Sequence, residues 1–372
     1  MDSIKRPKKA NAGLGTKRSR SILGSRVKKR DVTQFTRQLA TMLQSGVPLV
    51  RALEILERQQ KQAIFRSIIN ELAQSVRAGN PLSDGLALYP DVFNDLYYHM
   101  VTAGEASGQV DGVLSQLATF MEKSQKTQGK IIAALMYPAV VMILAFFILG
   151  GLMVFVVPRF EAIYEDFLRG ASMPKLTEVV IDLSRFVQSN IVLLLLLLLL
   201  ALVAVKLLSN SEKGRFIMDS IKLRLPVFGE LIRINCLTRF ARTLGTLLGS
   251  AVPLLNSLNI TSSVVGNKVF QRELQVTYLR VRDGEPISKP LNQGKQFPDM
   301  LCGMIEVGEE TGKVPEMLQR VADSYEDDLD TLVASLTSAL EPIMIVCMAV
   351  VVGTIVIALF LPLIGIFQNL AG

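Results

Sequence analysis

Few residues in this chain of 372 could do chemistry, and the most conspicuous are carboxylates set in a repeated turn. Glu105 lies in Gly104-Glu105-Ala106-Ser107-Gly108-Gln109-Val110, and Glu309 lies in Gly308-Glu309-Glu310-Thr311-Gly312-Lys313-Val314, 204 residues later. Two uses are open for such a turn. It can be purely structural: Gly104 closes one helix, Gly108 adopts a left-handed conformation, and Asp111 or Pro315 suits the first turn of the next helix. Alternatively Glu105 and Glu309 project from a rigid helix–helix corner and meet a partner protein. Glu309 and Glu310, with Asp323, Glu326, Asp327, Asp328 and Asp330, form an acidic concentration that reads as a solvated helix face or as oxygen ligands for a cation.

Conventional catalysis finds little to use. The single histidine, His99, has no Ser or Cys nucleophile motif beside it and reads as a packing or surface residue. Gly312-Lys313-Val314 lacks the upstream glycine and the Ser/Thr after Lys313 that a phosphate-cradling loop needs. Neither paired-His nor EF-hand spacing occurs. Cys236, Cys302 and Cys347 show no CxxC spacing and read as reduced packing residues. No catalytic, cofactor or metal site is expected, and the chain is read as a non-enzyme.

The elements that must carry the turns are themselves repeated. Phe35–Leu49 aligns with Phe240–Leu254, and over residues 35–50 against 240–255 nine of sixteen positions are identical. Pro138 and Pro342, each at the mouth of a long apolar run, are again 204 apart. The chain is therefore one unit written twice, a duplication rather than a solenoid. Phe35, Leu39, Met42 and Leu43 share one helical face, as do Phe240, Leu244, Leu247 and Leu248. Pro48 and Pro253 break this helix and open the next, where a missing N–H is harmless. Helical patterns continue through the turns at Gly79-Asn80-Pro81 and Tyr89-Pro90 with no alternating strand pattern, which predicts a bundle of about six short helices in each copy.

Three apolar runs separate the copies and end the chain. Ile131–Val157 holds 27 residues without a charge, Ile191–Val205 holds 15, and Ile343–Phe367 holds 25. At ~1.5 Å per residue the first reaches about 40 Å, beyond the ~30 Å hydrocarbon core. All three are expected to span a membrane. Lys123, Lys126 and Lys130 precede the first run, and Lys206, Lys213 and Arg215 follow the second. The positive-inside rule then puts the N-terminus and both helical domains in the cytoplasm, and the C-terminus outside. No ionisable residue lies at mid-depth in the first and third spans; Glu341, at the mouth of the third, is the nearest. That argues against a transport path, although a transporter or channel subunit is the rival class. A membrane sensor feeding a kinase ranks behind both, for want of a phosphoacceptor histidine motif.

Of the formal net charge of +7, residues 1–30 alone contribute +10. This basic arm has no apolar period and is expected to be disordered, lying against anionic lipid headgroups. It lacks the aromatic-interleaved or helical basic surface that nucleic acid binding would need. The expected organisation is a basic arm over 1–30, a first cytoplasmic bundle over 31–130 and a span over 131–158. A periplasmic loop with the start of an amphipathic helix follows over 159–189. A span over 190–208, a second bundle over 209–337 and a last span over 338–368 complete it. The fold class is an all-α membrane protein with two homologous six-helix cytoplasmic bundles and three transmembrane helices.

Phe35-Thr-Arg-Gln-Leu-Ala-Thr-Met-Leu-Gln-Ser-Gly-Val-Pro-Leu with its twin at 240–254, the two Gly-Glu-x-(Ser/Thr)-Gly-x-Val turns, Leu135-Met136-Tyr137-Pro138, Met173-Pro174-Lys175-Leu176-Thr177 and Leu340-Glu341-Pro342 occur in this order. Together they resemble the inner-membrane platform proteins of type II secretion and type IV pilus assembly, over about residues 31–368. The resemblance implies a non-enzymatic scaffold in the inner membrane whose helical bundles contact a hexameric assembly ATPase and pass its movement to pilins or pseudopilins. Other inner-membrane assembly proteins and membrane lipids are further implied partners, with a homodimer or homotetramer as the assembled form. It also implies a possible calcium ion held by first-domain carboxylates, for which Glu105 is the motif residue on offer. Family members usually begin with a small folded segment where this chain has its basic arm, so the contacts of that segment are not carried over.

Overall fold

The computed structural model describes residues 27–168, 174–226 and 228–370. Most of the basic arm therefore lies outside the described residues. Those residues form helices and turns, with no strand among them. The first head consists of α1 (Lys29–Gln44), α2 (Leu49–Gln59), α3 (Ala63–Arg77), α4 (Leu82–Ala87), α5 (Asp95–Ser107) and the first turns of α6 (Val110–Gly151). A π-helical turn over Leu152–Val156 joins α6 to α7 (Val157–Leu168). Then come α8 (Lys175–Ser189), α9 (Ile191–Asn210) and α10 (Glu212–Arg224). The second head is built from α11 (Phe228–Gly249), α12 (Leu254–Val264), α13 (Lys268–Arg282), α14 (Ser288–Asn292), α15 (Asp299–Thr311) and the start of α16 (Val314–Leu370).

The heads are copies down to their aromatic cores. Phe35, Phe65 and Phe93 come from α1, α3 and the turn before α5, with ring centroids 5.5–6.4 Å apart. Their twins Phe240, Phe270 and Phe297 are likewise buried, and Phe297 stands 4.9 Å from Phe240 and 5.5 Å from Phe270. Edge-on ring contacts of this kind add to the burial of the rings themselves. The offset is 205 at Phe35/Phe240 and Phe65/Phe270 but 204 at Phe93/Phe297. Leu86 and Leu291 are still 205 apart, so the one-residue slip falls in the turn before α5 and α15 and leaves the core in register.

Pro48 and Pro253 occupy the N-cap positions of α2 and α12, one residue outside the helix, and their carbonyls accept from Ala52 and Ser257, each at 2.9 Å. The turn before each proline differs in one respect. Gly46 has φ +80°, while its twin Ala251 is forced to φ +57°. A Cβ is disfavoured there by about 1–2 kcal/mol.

Neither head is joined to its span by a linker. α6 runs for 42 residues and α16 for 57, each from the head's core into an apolar run. At ~1.5 Å per residue α16 is about 85 Å long. Pro138 and Pro342 sit inside these helices without ending them. Among the described residues three helical stretches are long and apolar enough to cross a membrane: the one running from α6 into α7, α9, and α16. No residue of α9 is buried, so its leucines face outward all round.

Residues 159–189 hold more helix than a loop with a helix start. α7 continues the first span to Leu168, and α8 returns across the ends of the spans farthest from the heads. Val157, Val180, Ile181, Ile355, Ala358 and Leu359 form a small core at this point. The helix backbones are irregular here, and side chains repair them. The Met153 carbonyl, inside the π turn, accepts from Ser184 Oγ and from Gln188 Nε2 at 3.1 Å. Pro362 has no N–H to give the Ala358 carbonyl four residues earlier, and Thr177 Oγ1 donates to it instead. Tyr164 donates its hydroxyl to the neighbouring Leu359 carbonyl.

The strained corner gives a simple test. Ala251→Gly should stabilise the second head by about 1 kcal/mol, and Gly46→Ala should destabilise the first by a similar amount, in denaturant unfolding of the detergent-solubilised protein.

Candidate functional site: the corner glutamates and the seam between the heads

The repeated turns close the helices four residues later than their first glycines suggest. α5 ends at Ser107 and α15 at Thr311, and the C-caps are Gly108 at φ +71° and Gly312 at φ +70°. Gly104 and Gly308 are buried inside their helices and are not caps. They serve close approach: a Cβ on Gly104 would stand 3.1 Å from the Val113 side chain, and one on Gly308 would stand 2.8 Å from the Val314 Cα. The corner between α5 and α6, or α15 and α16, can be tight only because those positions carry no side chain.

The glutamates turn inward. Glu105 accepts from the backbone N–H of Leu82 at 2.5 Å, the N–H of Ser83 at 3.3 Å and the Ser83 hydroxyl. Glu309 accepts from the N–H of Ile287 at 2.5 Å, the N–H of Ser288 at 3.1 Å and the Ser288 hydroxyl at 2.5 Å. Each carboxylate thus caps the exposed donors at the start of the short helix α4 or α14, where negative charge is favoured. Both Glu105 oxygens are met by N–H or O–H donors, a set that does not suit calcium, which needs oxygen lone pairs on every side. Among the described residues no group of three or more His, Cys, Asp or Glu could hold a metal ion. His99, half-buried beside Tyr98, has its pKa lowered by burial, against the pull of Asp95.

The acidic stretch of α16 belongs to a seam. In the first head Arg37 of α1 donates to Glu122 of α6 through Nε at 2.7 Å and Nη2 at 2.6 Å, and to Thr119 Oγ1 at 2.9 Å. In the second, the twin Arg242 donates to Glu326 through Nε at 3.2 Å, and Nη2 lies 2.6 Å from Asp323 and 2.8 Å from Glu326. Arg242 is only 6% exposed, which makes these partners obligatory. Asp323 stands where the first head has Thr119, and it reaches outward as well: Lys123 of α6 donates to it at 2.7 Å. Lys130 pairs with Asp330 two turns further along each helix, and Ser250 donates to Gln116 at 2.7 Å. Leu247, Val252 and Ile260 of the second head join the first head's core. Apolar burial and charge together bind the heads into one body.

This network was legible only in part. Arg37/Arg242 and Glu122/Glu326 are retained in both copies at the repeat offset, and that retention was the available signal. Lys123 and Lys130 read as flanking charge, and Asp323, Glu326 and Asp330 as a solvated face, because periodicity within one helix does not show what a second helix brings to it. Glu341 is exposed at the entry to the last span, next to Pro342.

A pair of helical heads with spans grown directly out of their last helices defines a duplicated all-α membrane protein. The model of the family described as type II secretion system (T2SS), protein F matches residues 35–158 and again 240–362, once per copy. A type IV pilus assembly protein PilC of Thermus thermophilus is 40% identical over 343 residues, covering 92% of this chain and 84% of that protein. A type IV pilus assembly protein TapC of Aeromonas hydrophila is 36% identical, covering 91% and 82%. A type II secretion system protein F of Pseudomonas aeruginosa is 33% identical, covering 91% and 83%. The chain belongs to the type II secretion system protein F family.

Glu105→Ala and Glu309→Ala should each cost their own head about 1–3 kcal/mol through the uncapped N–H groups, read as earlier hydrogen exchange at Leu82–Ser83 or Ile287–Ser288. Burial would raise the Asp323 pKa, but hydrogen bonds from Lys123 and Arg242 outweigh it and hold the group below its ordinary value. Its contribution is therefore complete above the unfolded value of about 3.9 and is lost as pH falls through the lower folded value. Lys123→Glu should loosen the seam at neutral pH, seen as faster hydrogen exchange in α6. Adding Asp323→Lys, which leaves Arg242 with Glu326 as its carboxylate partner and Gln319 beside it, should recover part of the protection.

Proposed function

We propose that this protein is the inner-membrane platform of a type II secretion or type IV pilus machine. Its heads receive movement from a cytoplasmic assembly ATPase, and its spans pass that movement to pilins or pseudopilins in the bilayer. The observation that carries this reading is mechanical. Each head's last helix is its span, so a tilt or rotation of the head moves the membrane segment without an intervening hinge. The seam of Arg242, Lys123, Lys130 and their carboxylates makes the heads turn together. A coupling of ~1–3 kcal/mol between sites is enough to bias such a device.

The flanking lysines and arginines support an arrangement with the heads in the cytoplasm and the C-terminus in the periplasm. Glu105 and Glu309 then act as internal braces of the ATPase-facing bundles, and Pro138 and Pro342 as the entry points of the moving spans. Alkaline phosphatase fused after Gly372 should be active and a fusion at Glu212 inactive; the reverse pattern refutes the orientation.

Inserting a flexible Gly-Ser segment after Gly129 separates transmission from binding. Membrane insertion and co-isolation of the cognate assembly ATPase should survive, while fibre assembly or secretion should fall to background. Normal assembly with that insertion, or failure of the intact protein to retain the ATPase, would overturn the proposal.

A further inference from the structure

The geometry points to α8 as an interfacial helix: a bar lying in the lipid boundary at the ends of the spans remote from the heads, with acyl chains as the occupant of its uncovered apolar stripe. Three faces of the helix carry the argument. Thr177, Val180, Ile181 and Ser184 are buried against the first and third spans. Lys175, Glu178, Asp182 and Arg185 form a charged face, with Arg185 paired to Glu161 of α7. Leu176, Val179, Leu183 and Phe186, at helical spacing between these two, are 38–64% exposed among the described residues. A soluble loop would not show water such a stripe, whereas a helix at a headgroup boundary has a use for it.

Depth follows from position in the chain. α9 begins at Ile191, immediately after α8, so Ser189 and Asn190 lie where a span enters the membrane. Thr177 holds the Ala358 carbonyl and Ser184 holds the Met153 carbonyl, and these two acceptors are 205 residues apart, one more than the offset of the duplicated spans. The acceptors therefore occupy nearly equivalent positions in the two copies. The seven residues from Thr177 to Ser184 cover about 10 Å, which is the ~8–10 Å separation of two packed helices. α8 thus reaches from one span to the other near their remote ends.

The repairs point to the same depth. Water would satisfy an irregular carbonyl at an aqueous loop, but hydrocarbon cannot. Here the π turn and the carbonyl that Pro362 leaves without its helix donor both find hydroxyl or amide donors on α8, and Thr177 and Ser184 are fully buried while donating.

The test uses the full-length chain with Cys236→Ser, Cys302→Ser and Cys347→Ser, reconstituted in phosphatidylcholine–phosphatidylglycerol vesicles. Single cysteines at Val179, Leu183 or Phe186, and at Glu178 or Asp182 for comparison, carry a bimane label. Labels at the first three should be quenched several-fold more by spin-labelled lipid than labels at the last two, and aqueous iodide should show the opposite order. Equal access of iodide to Leu183 and Asp182 would overturn the inference in favour of a solvated loop. Protection of Leu183 from both quenchers would overturn it in favour of a protein cover. All five positions are exposed, so labelling does not disturb the packed face.

Discussion

Hydrocarbon offers no partner to a peptide group, and that constraint shapes this molecule from end to end. A chain segment can cross only as a helix with its own hydrogen bonds complete. Here that requirement reaches into the heads, because α6 and α16 begin in the head cores and leave through the membrane without a break. The head is thus rigidly attached to its span. Where the helices do become irregular, at the π turn and at Pro362, neighbouring side chains complete the bonds. Rigidity and repair come from the same cause.

Duplication supplies the second theme. Each copy keeps its arginine–glutamate clamp between the first and last helices of the head, and each keeps its inward glutamate at the tight corner. The copies differ at the surface where they meet. Replacing the threonine of position 119 by the aspartate of position 323 turns an internal contact into a bridge to Lys123 of the other copy. A symmetric origin has become an asymmetric pair, with the second head's helices pushed into the first head's core.

Much of this was open to reading before any coordinates. Long uncharged runs, a repeat offset held over a hundred residues and helical spacing of the apolar residues are local or periodic properties, and they determine three spans and an all-α fold. The resemblance to secretion and pilus platforms was likewise visible, because the motifs recur in order along both copies. Tertiary structure alone decided three things. Glu105 and Glu309 turn inward because the start of α4 or α14, more than twenty residues away in sequence, brings unpaired N–H groups to the corner. The acidic face of α16 is a seam because α6 and α11 present lysine and arginine to it. And α8 is a bar across the spans because carbonyls left without helix donors in two of them find donors on it. Each depends on what another segment contributes at a given point, and single-chain periodicity carries no information about that.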